Sequence, residues 1–260
     1  MDFGYSIAGA FVGFLVGLTG VGGGSLMAPI LILFFGFQPA VAIGSDLWFA
    51  AVTKSVGGVV HRQLGSPNWR IVGRLAMGSV PASILTLLWL GYNHGGHLEA
   101  KLLLKLLGAA LLFSACLLPL KARLNTTFQN LRNHLGDGFR THQLALTIIG
   151  GAAVGCLVTL TSVGAGALVA VLLMMLYPLS LQARAVVGTD IVHAVPLALV
   201  AAIGHSFFGN VDWGLLGMLV IGSIPGIIVG SLVAGKVNDV LVRIALSTML
   251  AITGAKLLFW

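Results

Sequence analysis

The feature that most limits what this chain can become is a set of apolar stretches too long for an ordinary soluble core. Six of them, at about 41–61, 71–91, 99–120, 185–208, 213–234 and 240–260, run for roughly 20 residues, the length that crosses a bilayer. Charge is too scarce to solvate such a molecule. Of 260 residues, 8% are charged and 58% hydrophobic, whereas a soluble domain carries about 25% charged residues. Lipid is the expected solvent. An all-α integral membrane protein is the expected class, because a helix satisfies its own backbone in hydrocarbon. The net charge of +7 does not point to nucleic acid, since the basic residues collect in short loops between apolar runs, as a topology signal does. Asp2 is the first charge, so the basic start of a cleaved signal peptide is not expected. Cys116 and Cys156 lie in apolar runs and read as small hydrophobes. No Cys/His cluster suggests a metal, no cofactor motif is present, and no Walker A motif suggests ATP hydrolysis.

Two further apolar regions, about 5–36 and 143–178, are interrupted by small residues. The first reads Leu18-Thr-Gly-Val-Gly-Gly-Gly-Ser25 and the second Leu160-Thr-Ser-Val-Gly-Ala-Gly-Ala167. Glycine frees the backbone locally, so each region is expected to form two half-length helices joined by an unwound centre. A polar stretch at 121–142 separates two halves of similar length: a first transmembrane repeat at 1–120 and a second at 143–260, with a cytoplasmic linker between them.

The halves echo each other. A shift of 142 residues lays Leu18-Thr19 on Leu160-Thr161 and Val21-Gly22 on Val163-Gly164. A shift of 144 then aligns ten identities over positions 44–81, among them Asp46 with Asp190, His61 with His205, Trp69 with Trp213 and Pro81 with Pro225. Composition supplies glycine matches; it does not readily supply Asp, His, Trp and Pro in one register. If each broken region crosses once, the repeats are parallel and ten loop cations split six to four. If each is a re-entrant hairpin, the repeats are inverted and the same residues split nine to one, with only Lys101 on the far side. The positive-inside rule favours the inverted arrangement, with three full transmembrane helices beside each broken pair and both termini outside the cytoplasm.

Paired breaks at matching positions of two repeats point to a transporter binding site. The free N–H groups and dipole of the second half-helix suit an anionic group. Gly22, Gly23, Gly24, Gly164 and Gly166 would let a ligand reach the backbone, and Thr19, Ser25, Thr161 and Ser162 would add hydroxyls. The plainer reading of these glycines is close helix packing. Asp46 and Asp190 are candidates for a coupling proton or simple helix caps. His193 shares a helix face with Asp190 and is a candidate relay. Lys54 has Ala198 as its counterpart; it would attract an anion or snorkel to the cytoplasmic face. His61 and His205 read as solvated residues at loop edges. A Ser25–His61 hydrolase dyad has little support, since Ala167 stands where the second serine would be.

The order Leu-Thr-Gly-Val-Gly-Gly-Gly-Ser25, Ala42-Ile-Gly-Ser-Asp46 and Gly78-Ser-Val-Pro81, echoed by Ala185-Val-Val-Gly-Thr-Asp190 and Gly222-Ser-Ile-Pro225, resembles the sulfite exporter TauE/SafE family, also called the TSUP permeases. The resemblance covers essentially the whole chain. It implies a bacterial-type inner-membrane transporter of sulfur-containing or organic anions such as sulfite, sulfonates or sulfoacetate, without choosing among them. The second break departs from the triple glycine, with Gly164-Ala-Gly166. The expected function is proton-coupled secondary transport of a small anion by alternating access. The rival expectations are a passive anion channel and a non-transporting membrane subunit.

Overall fold

The computed structural model describes residues 3–19, 23–61, 67–135, 138–178, 181, 183–234 and 237–259. Ten α-helices follow in order: α1 (Phe3–Thr19), α2 (Met27–Leu33), α3 (Pro39–His61), α4 (Trp69–His94), α5 (Ala100–Leu135), α6 (Gly138–Thr161), α7 (Ala167–Leu176), α8 (Ala183–Phe207), α9 (Trp213–Val233) and α10 (Asp239–Leu258). A 3₁₀ turn at Gly23–Leu26 leads into α2. No strand occurs among the described residues. Among the described residues, six helical segments are long and apolar enough to cross a membrane: Trp69–His94, Ala100–Leu120, His142–Thr161, Ala185–Phe207, Trp213–Val233 and Val240–Leu258.

Each half therefore holds a broken pair and three long helices, but the members of each pair are unequal. At 1.5 Å per residue α6 is about 36 Å long and α7 about 15 Å. The apolar run before the second break, His142–Thr161, is already a full span, so nothing forces it to stop halfway. The equal half-helices expected from the sequence are replaced by a full-length helix and a short one. The stretch at 121–142 also differs from a plain connecting loop. It is polar, yet its backbone is helical through Leu135 and again from Gly138, because residues such as Lys, Arg, Leu and Gln propagate a helix as readily as they fill a loop.

Contacts between the halves come in matched pairs. α1 packs along α9 as α6 packs along α4, and α3 meets α8 while α5 meets α10. The first two seams are backbone to backbone. A Cβ added at Gly13 would lie 2.5 Å from the Ser223 carbonyl oxygen, and one at its counterpart Gly155 would collide with the Ser79 carbonyl. Small residues one turn apart, Gly9, Gly13 and Gly17, give α1 this close approach. The helix starts match as well. The Asn68 side chain accepts from Ile71 N–H at 3.2 Å and Asp212 from Leu215 N–H at 2.9 Å, each capping a helix that begins with an exposed tryptophan. The Asp212 N–H donates to Ser45 Oγ at 3.1 Å, and the Asn68 N–H to Thr189 Oγ1 at 3.0 Å.

The equivalent helices run antiparallel where they touch. Gly44 in the second turn of α3 faces Asn210 just past the end of α8, and Trp48 one turn further along donates to Ser206 at 2.8 Å. In the other pair, Gly108 faces Gly254 and Ser247 donates to the Ala115 carbonyl at 2.6 Å.

Candidate functional site

The second break carries the most unusual backbone. Ser162 has φ +57°, a left-handed conformation uncommon for a residue with a Cβ, and Gly164 and Gly166 follow at φ +121° and +152°. Such a path reverses the chain between α6 and α7 in a few residues. Thr161 braces it: its hydroxyl donates to the Leu157 carbonyl at 2.6 Å and accepts from Val163 N–H at 3.2 Å. Thr19 makes the same bond one repeat earlier, to the Leu15 carbonyl at 2.7 Å. Both threonines spend their hydroxyl hydrogens on their own helices, as threonine in helices often does. Gly23, Gly24 and the buried Ser25 lie in the 3₁₀ turn. Gly22 lies outside the described residues.

Ser162 behaves differently. It is 7% exposed, and its hydroxyl makes no hydrogen bond. It lies beside the Asp46 carboxylate, close enough to interact but outside hydrogen-bond geometry. Asp46, fully buried on α3, accepts from the Ala28 N–H in the first turn of α2 at 3.3 Å. One carboxylate thus touches the start of the short helix in the first half and the break of the second. It caps a helix, as the plainer sequence reading had it, but α2 rather than its own.

Lys54 is the only buried lysine or arginine among those whose side chains are described. It does not snorkel: its ammonium donates to the Ala165 carbonyl inside the second break. Both Asp46 and Asp190 attract it. A cavity of about 10 Å³, room for a single water molecule, lies here, lined by Lys54, Ser162 and Ala165 together with Leu47, Ala50, Val158 and Ala198. The N-terminus of α7 begins two residues after Ala165, with Gly166 at its cap position and no side chain capping it. A bare helix start, a hydroxyl without a partner and an ammonium are donors suited to an anion.

Asp190 and His193, both fully buried on α8, complete the cluster. His193 Nε2 is 2.8 Å from Ser79 Oγ, its Nδ1 makes no hydrogen bond, and Lys54 is near enough to act on it by charge. The sequence drew attention to His193 but not to a role for Ser79 beside it.

The sequence profile for sulfite exporter TauE/SafE matches residues 5–257. The chain belongs to that family. Among relatives, the Bacillus subtilis protein named "Probable membrane transporter protein YjnA" is 35% identical over 253 residues, 97% of this chain and 98% of its own. A second from that organism, "Probable membrane transporter protein YdhB", is 27% identical over 257 residues, 95% of this chain and 96% of its own. "Probable membrane transporter protein MJ0441" of Methanocaldococcus jannaschii is 25% identical over 260 residues, 95% of this chain and 92% of its own. No solved structure matches. The chain is a multi-pass membrane protein of a transporter family, and the family bears out the reading against catalysis.

Within this TauE/SafE chain the two halves are not equal at their centre. Phe49 and Lys54 of the first half correspond to His193 and Ala198 of the second. His205 is not the solvated residue its loop-edge position suggested. It is buried, 2.9 Å from the Thr159 carbonyl and 3.3 Å from Asn210, and ties the end of α8 to α6. The side chain of His61 lies outside what is described.

Proposed function

We propose that the chain is a secondary transporter of a small sulfur-containing or organic anion, of the sulfite, sulfonate or sulfoacetate class, working by proton-coupled alternating access in a bacterial-type inner membrane. The observation that carries this reading is the group of donors at the second break: the unpartnered Ser162 hydroxyl, the Lys54 ammonium and the uncapped start of α7 around one small cavity. An anion leaving water must recover its hydration inside the bundle. Partial charges and a single shared cation supply a reversible grip, where several fixed arginines would hold too tightly.

We assign Gly22, Gly23, Gly24 and Ser25 to the same site by their repeat equivalence to the second break, and the buried Asp46, Asp190 and His193 are the candidates for the coupling proton. The matched contacts support inverted repeats. Equivalent helices that touch antiparallel, α3 with α8 and α5 with α10, are what a two-fold axis across the bundle rather than along it would produce. A rocking of one repeat on the other would expose the central cavity to either side.

The test is a binding screen on the purified full-length protein, following thermal stability against sulfite, thiosulfate, short alkanesulfonates and sulfoacetate. At least one of these should raise the melting temperature in a saturable way in the wild type and not in Ser162→Val. A folded protein stabilised by none of them refutes the substrate class.

A further inference from the structure

We propose that the Asp46 carboxylate is the anion's internal rival, so that the anion enters the cavity only as Asp46 takes up a proton; this rests on the anion-site reading above. Asp46 is the carboxylate next to both Ser162 and Lys54, two of the donors assigned to the ligand, whereas Asp190 acts on Lys54. Ser162 lies beside it, Lys54 attracts it, and the Ala28 N–H holds it. An ionised Asp46 and a bound anion would compete for the same ammonium and hydroxyl while repelling each other in a space shut off from water, where repulsion is weakly screened.

Protonation removes the rival and adds a donor, because a carboxylic acid offers an O–H to an incoming anion. The step balances simply. A proton from the water phase joins a carboxylate oxygen, the anion then meets the Ser162 hydroxyl and the Lys54 ammonium without a competing charge, and both leave together when the proton is lost. One proton then travels with each anion, which is symport.

The surroundings of Asp46 support assigning the proton to this group. Lys54 on its own helix is the charged group that attracts it among the described residues. α8 brings Asp190, which also acts on Lys54 and in this proposal stays as its counter-ion, and His193, which is within reach of Lys54 as well. α1 and α9 carry no charged residue within their bounds, and α2 offers only its backbone. α5 also packs on α3, and Lys101 and Lys105 in its first turns do not act on Asp46.

The experiment uses methanesulfonate and thiosulfate, whose own charges do not change between about pH 5 and 9, so that any pH effect belongs to the protein. Binding to the purified protein is measured across that range, with proton uptake followed in a lightly buffered cell. In the wild type, binding should consume a proton and weaken about tenfold per pH unit at the alkaline end. Asp46→Asn should bind with a flat pH profile, consume no proton, and exceed wild-type affinity at least tenfold at the highest pH. Asp190→Asn should keep the wild-type slope. Asp46→Glu, which keeps the charge and hence the fold's cation balance, should also keep the slope. A folded Asp46→Asn protein that retains proton uptake, or a wild type that binds without any, overturns the proposal and leaves the anion site standing. A folded wild type that binds neither probe at any pH overturns the site reading and this inference together.

Discussion

Replacing Lys54 with methionine tests the centre of the bundle most sharply. The unbranched methionine chain fills the volume of the lysine stem and keeps helix propensity, so what is lost is the charge. The Ala165 carbonyl loses its donor, worth about 1–3 kcal/mol for a buried group left unsatisfied. Asp46 and Asp190 lose the cation that attracts both, and removing one partner of a buried ionic group costs about 3–5 kcal/mol. The two losses share atoms and do not add, so Lys54→Met should destabilise the protein by about 3–5 kcal/mol at pH 8. The penalty should shrink by pH 5, because a protonated Asp46 needs no counter-ion, while Asp190 and the Ala165 carbonyl still miss the ammonium. Reversible unfolding in detergent micelles at the two pH values, with Lys54→Arg as the charge-preserving control, measures the difference. A Lys54→Met protein as stable as wild type at pH 8, or one whose penalty does not depend on pH, would refute the reasoning.

Two further outcomes follow from the helix seams and the loop charges. Gly13→Val and Gly155→Val should each cost about 1–3 kcal/mol or more, because the added atoms meet the Ser223 and Ser79 backbones; Gly73→Ala, which faces open space, should leave thermal stability in detergent unchanged. In a background lacking Cys116 and Cys156, single cysteines at positions 66 and 94 should react with a membrane-impermeant reagent from opposite sides, with 66 on the cytoplasmic one; labelling from the same side would exclude inverted repeats.

Most of the architecture is legible in the sequence because hydrocarbon removes alternatives. A run such as Trp213–Val233 has no outcome other than a buried or lipid-facing helix. The duplication is legible because Asp, His, Trp and Pro recur in one register, and the same register reappears in space: Ser45 and Thr189 receive equivalent N–H groups from Asp212 and Asn68. The unequal lengths of α6 and α7 are less visible, since a run of small residues announces a break without saying how far the helix before it extends.

At the site, residue identity was readable and partnership was not. Lys54 stood out as a charge in an apolar run, but nothing in the sequence says that its ammonium reaches across to Ala165 on the other repeat. Thr161 and Ser162 looked alike as hydroxyls beside a break. The backbone path separates them, turning one onto its own helix and leaving the other without a partner. Ser79 and Asn210 carried no signal because their roles depend on which histidine packs beside them.

The central claim is that this protein moves an anion uphill at the expense of a proton gradient. Reconstituted proteoliposomes loaded without substrate and given an acid-outside pH step, with radiolabelled sulfite, thiosulfate and an alkanesulfonate outside in turn, measure it directly. At least one anion should accumulate above its external concentration, collapse to equilibrium when a protonophore is added, and fail to accumulate with Asp46→Asn. Equilibration without accumulation at any pH step would make the protein a passive anion pathway, and no flux above empty liposomes for any of the three anions would contradict the account.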